Sequence, residues 1–166
     1  MNTNPARLHV LLNHLPLTGL AVALMILVVS MVLRSRPAAV LALASVALLA
    51  GSVWPVIESG EDSYVRVREL ADDYGKVQLK QHMLMAERWS SLYYITAAAS
   101  VAALLAAWKW PRALYPLAIL AAALAAASLL AGAIIADAGG KVRHPEFRTG
   151  PPPPNVPLEP EHHHAH

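Results

Sequence analysis

Four stretches of this chain carry hydrophobic side chains with no Asp, Glu, Lys or Arg among them: Leu8 to Leu33, Ala38 to Ile57, Trp89 to Trp108 and Leu114 to Ala136. At about 1.5 Å per helical residue, each can cross roughly 30 Å of hydrocarbon. The pattern predicts an all-α fold, an integral membrane four-helix bundle.

The polar interruptions divide the chain further. Pro16 lies inside the first run and frees the carbonyl of Leu12, so the helix either begins or kinks there. Pro37 opens the second run at a favourable first-turn position, and Trp54 marks its far interface. Ser59-Gly60-Glu61-Asp62 has the form of a helix N-cap, and Val67, Leu70, Ala71 and Tyr74 follow at helical spacing. This predicts an amphipathic helix lying near the membrane surface between spans two and three, broken at Gly75. From Lys76 a further helix runs without a breaker into span three, with Gln78, His82, Met85, Trp89 and Tyr93 on one stripe. Span four is alanine-rich and is expected to end at Asp137-Ala138-Gly139-Gly140. Residues 1–148 read as the transmembrane domain and 149–166 as a disordered Pro/His-rich tail.

Four crossings place the N-terminus, the Glu58–Arg88 connection and the C-terminal tail on one side, here side A. All eight histidines fall there: His9, His14, His82, His144, His162, His163, His164 and His166. Side B has two short connections, Arg34-Ser35-Arg36-Pro37 and Lys109-Trp110-Pro111-Arg112. Composition agrees with the membrane reading, since 56% of the 166 residues are hydrophobic and only 14% charged. The net charge of +2 hides an asymmetry, because all eleven acidic residues lie on side A and side B holds four Lys/Arg and no acid. Basic residues in short loops favour the cytoplasm. Side B is therefore expected to be cytoplasmic, with N- and C-termini periplasmic in a bacterial inner membrane. Span one is too long for a signal peptide and lacks a small-residue cleavage site, so it reads as a retained helix.

The candidate chemistry is histidine chemistry. No cysteine is present, which excludes disulfides, thiolate metal sites, iron–sulfur clusters and covalent c-type haem. No Glu-x-x-His pair, phosphate-binding glycine loop or nucleophile elbow occurs, and nothing suggests nucleic-acid binding. Four histidines from separate elements, His9, His14, His82 and His144, sit near one membrane face, where opposed imidazoles can hold haem b noncovalently. His9 and His14 are five apart, about 140° round a helix, so a straight helix cannot aim both at one ion. His14 with His82 is the first choice of axial pair; His9 and His144 are the reserve pair or ligands to a second haem. Arg7, Arg88, Arg143 and Arg148 are available for propionates, and Glu87 or Asp137 for fixing an imidazole tautomer. The alternative for these histidines is that of ordinary interfacial polar residues. Copper or another divalent metal is the rival cargo, through Met83 and Met85 beside His82 and through the His162, His163, His164 and His166 tract.

The segments His9-x4-His14-Leu-Pro16-Leu with Gly19, His82 before span three, and Gly139-Gly140-x-Val-x-His144 carry a resemblance. They resemble a family of small four-span bacterial membrane proteins known only as a domain of unknown function. Its members open with His-Pro-x-x-Val-His-Phe-Pro and close with Gly-Gly-x-x-Val-x-x-His-Gly. The likeness covers roughly residues 8 to 144; Asn13 stands where the family has Val, and Pro-Glu-Phe follows His144 in place of Gly-Val-Gly. It implies a b-type cytochrome-like protein. The expected function is electron transfer between membrane quinol and a periplasmic cytochrome or a larger respiratory complex. The remaining alternatives are metal handling and a non-catalytic accessory subunit.

Overall fold

The computed structural model describes residues 4–150. The first span is α1 (Pro5–Leu12), a π-helical turn over Leu15–Gly19, and α2 (Leu20–Val32). The second is α3 (Arg36–Gly51) and α4 (Val53–Leu70), the third α5 (Asp73–Lys109), and the fourth α6 (Leu114–Arg143). All four are long and apolar enough to cross a membrane, and the protein is a multi-pass, all-α bundle.

Pro16 neither starts nor stops the first helix. Its missing amide is absorbed by a widened turn, in which the amide of Leu20 reaches the carbonyl of Leu15 five residues back. Asn4 caps α1 by accepting the amide of Ala6 at 3.2 Å, with Pro5 at the first helical position.

The segment after span two differs from the surface-lying helix predicted for it. Ser59 is not an N-cap, because α4 has already begun at Val53; its hydroxyl donates to Val56 O at 3.0 Å. α4 continues the second span and packs against α1 and α5. The break falls at Ala71 and Asp72 rather than at Gly75. Asp72 caps α5 by accepting the Gly75 amide at 2.7 Å, so α5 starts three residues before the expected Lys76. Gly75 is needed for space: a Cβ there would lie 2.5 Å from the carbonyl oxygen of Val142 in α6.

Span four also runs on past its predicted end, through Gly139 and Gly140 to Arg143. Glycine inside a helix costs only about 1 kcal/mol relative to alanine, and here both glycines adjoin rings. A Cβ on Gly140 would meet Phe147 at 3.3 Å, and one on Gly139 would meet His82 at 3.0 Å.

The interior is built from small residues and the exterior from large ones. Ala39, Ala42, Ala50, Ala103, Ala107, Ala118, Ala121 and Ala125 are buried around Leu20, Leu27, Leu43, Val46 and Leu114, while Leu33, Leu48, Leu105 and Leu130 point outward. Lipid is as apolar as leucine, so large side chains gain nothing by turning inward, and small ones let helices approach closely. Buried hydroxyls satisfy one another or the backbone: Thr96 and Ser128 pair at 2.9 Å between α5 and α6, and Ser100 donates to Thr96 O at 2.8 Å. Trp54 and Trp89 at one end and Trp108 and Trp110 at the other are all exposed. Along α5 the Trp89–Trp108 separation is about 28 Å at 1.5 Å per residue, which matches the hydrocarbon thickness.

α2 packs on α3 and α6, and α5 packs on the same two helices. The first and third spans therefore face each other diagonally across the bundle.

Candidate functional site: an imidazole pair across the bundle

The diagonal brings two histidines together. His9 of α1 and His82 of α5 lie with ring centroids 6.2 Å apart and planes at 90°. Of the stripe that carries His82, Gln78 and Tyr93 are buried and His82 and Met85 are half-buried, while Trp89 is exposed, so only part of it faces inward. His82 stands seven residues before Trp89, about 10 Å by helical rise, so the pair sits toward the side-A end of the bundle.

Each ring is held by the neighbouring helix. Nδ1 of His9 donates to Val56 O at 2.9 Å, and Nδ1 of His82 donates to Ile135 O at 2.8 Å. A carbonyl can only accept, so each ring carries hydrogen on Nδ1, and in its neutral form each presents Nε2 as the acceptor nitrogen. Liganding imidazoles are characteristically arranged this way, with the second nitrogen bonded to an outer partner. Main-chain carbonyls fill the role expected of Glu87 or Asp137; Glu87 is exposed, and Asp137 pairs with Lys141 one turn on.

The remaining candidates lie elsewhere. His14, the expected partner of His82, is exposed, with its Nδ1 bonded to Val10 O on its own helix at 2.8 Å. Five residues of helix carry it round from the His9 face, so the pairing is His9 with His82. His144 is exposed at the end of α6, stacked on Phe147 at 5.0 Å and bonded to Glu146 at 2.9 Å. Arg88 is exposed, with its guanidinium 5.6 Å from the Trp89 ring centre, and Arg143 is exposed at the end of α6. His162, His163, His164 and His166 lie outside the described residues.

Arg148 has a structural post. It forms a two-pronged ion pair with Asp72, at 2.6 and 3.0 Å, and donates to the carbonyls of Lys141 and Val142 at 2.8 and 2.9 Å. Its guanidinium also lies 4.7 Å from the Tyr74 ring centre. One side chain thus satisfies the open carbonyls of α6 and ties them to the cap of α5. The guanidinium holds the Asp72 carboxyl below its ordinary 3.8, helped by the Gly75 amide.

Sequence reasoning gave Val56 and Ile135 no role at the rings, and took Gly60 for part of a cap and Gly139 for a helix end and a motif residue. Carbonyls leave no mark in a sequence, but two glycines inside helical stretches do. No family model matches the chain, and no curated protein or solved structure does either, so the likeness to the four-span family rests on its motif residues.

Proposed function

We propose that this protein is a membrane electron carrier that binds haem b through His9 and His82. The observation behind the reading is the imidazole pair itself. Two imidazoles from separate spans lie with ring centroids 6.2 Å apart, and each has its Nδ1 turned to a carbonyl, which leaves the other nitrogen for a metal. Among the described residues no three His, Asp or Glu gather as a metal-holding group. Zinc and calcium held by protein alone want four or more ligands. A haem iron wants only two from the protein and supplies one-electron chemistry when bound.

The chain's own contribution is to hold two imidazoles by their Nδ1 hydrogens at the side-A end of the bundle. This end is accessible both to a membrane quinol and to a periplasmic or membrane-bound acceptor. The Lys/Arg residues of the two short connections support a cytoplasmic side B, in a bacterial inner membrane.

The test is the absorption spectrum of the full-length chain, purified in detergent from haem-replete cells, with the four tail histidines replaced by alanine so that they cannot capture haem. A Soret band that shifts on reduction is expected. A chain that emerges without haem, and takes none up on titration, overturns the assignment; copper found in its place would favour metal handling.

A further inference from the structure

The pair is held by one device built twice. His9 donates from Nδ1 to Val56 O, and one helical turn beyond Val56 lies Gly60; a Cβ there would stand 3.1 Å from both Nδ1 and Cε1 of His9. His82 donates from Nδ1 to Ile135 O, and one turn beyond Ile135 lies Gly139; a Cβ there would stand 3.0 Å from the same two atoms of His82. Acceptor and glycine are four residues apart in both cases. In both, the histidine belongs to the first span of a helix hairpin, and the acceptor and glycine to the second.

Neither glycine is there for backbone freedom. Both sit within helices, and among the described glycines only Gly150 has a positive φ. What each supplies is the absence of a side chain under an imidazole. Ordinary contact between heavy atoms needs about 3.5–4.0 Å, so even a Cβ at either position presses on the ring, and a branched side chain such as valine crowds it further against its place at the carbonyl.

We propose that Gly60 and Gly139 are positioning residues, and that the chain consists of two equivalent histidine-presenting helix hairpins. Each glycine lets an imidazole lie against the opposite helix, where the carbonyl one turn back fixes hydrogen on Nδ1 and leaves Nε2 as the ligating nitrogen. The idea deepens the reading of the pair as a ligand site, but its test needs no cofactor.

The experiment is nitrogen-15 NMR of histidine-labelled, cofactor-free full-length protein in detergent micelles, which separates the two imidazole tautomers. Wild-type His9 and His82 should both carry hydrogen on Nδ1; finding it on Nε2 at either ring overturns the proposal without recourse to any variant. Gly60→Val should move the His9 signals alone and Gly139→Val those of His82 alone. Gly51→Val should move neither, because nothing lies within 4 Å of a Cβ there. Valine variants that fold and leave their rings unchanged also overturn it. In the haem-loaded protein each of the two variants should bind about 10–100-fold more weakly. Absence of haem binding with the tautomer pattern intact removes the cofactor reading and leaves the positioning role standing.

Discussion

Individual side chains decide which histidines act together. His9 and His82 have their Nδ1 atoms bound to carbonyls of neighbouring spans, whereas His14 bonds only to its own helix and faces outward. Replacing His9 or His82 by alanine is expected to abolish the haem spectrum, and replacing His14 to leave it intact, as read by reduced-minus-oxidised absorption. Deeper in the bundle, the Tyr93 hydroxyl occupies the space where Gly132 would carry a Cβ. Gly132→Ala drives a methyl into that hydroxyl, an overpacking worth about 1–3 kcal/mol. Adding Tyr93→Phe should recover most of the loss in detergent-unfolding titrations, which a plain loss of helix flexibility would not allow.

At the level of elements, the Asp72–Arg148 contact joins the start of α5 to the end of α6. The carboxyl has a lowered value in the folded state, so its contribution is present above the ordinary 3.8 and is lost as pH falls below that through the folded value. Hydrogen exchange at the Gly75 amide and across residues 144–149 should accelerate as pH drops from about 5 to about 3, after correction for intrinsic rates. Asp72→Asn should remove that pH dependence. The Asp72 carboxylate is open to solvent although the Arg148 side chain is largely covered, so high salt should weaken the contact as well. Between the same two helices, the Thr96–Ser128 hydroxyl pair is buried. Cutting it with Thr96→Val is expected to cost about 0.6 kcal/mol, the usual size of such bonds inside membrane bundles.

For the molecule as a whole, four spans put both ends on one side, and the absence of cysteine makes that directly measurable. Single cysteines at Ser35 and Thr149 should react with a membrane-impermeant thiol reagent from opposite faces, Thr149→Cys from the periplasm and Ser35→Cys only after the cells are opened. Span number and the shared side of the ends follow from the amino-acid sequence, because hydrocarbon thickness and the cost of charge inside it act on each segment separately, whereas of the small-residue interior only the alanine-rich span four was legible. The uninterrupted passage from the surface into Trp89–Trp108 was legible for the same local reason. The helix limits around Ser59, Asp72 and Gly139 were not. A polar or glycine residue reads as a boundary until its spatial neighbour is known, and those neighbours are Val56 O, Arg148 and the His82 ring. That histidines of side A form the candidate site was visible from their placement. That His9 rather than His14 meets His82 was decided only by the tertiary structure, because it depends on the rotation and register of two helices that are far apart in the chain and lie diagonally across the bundle.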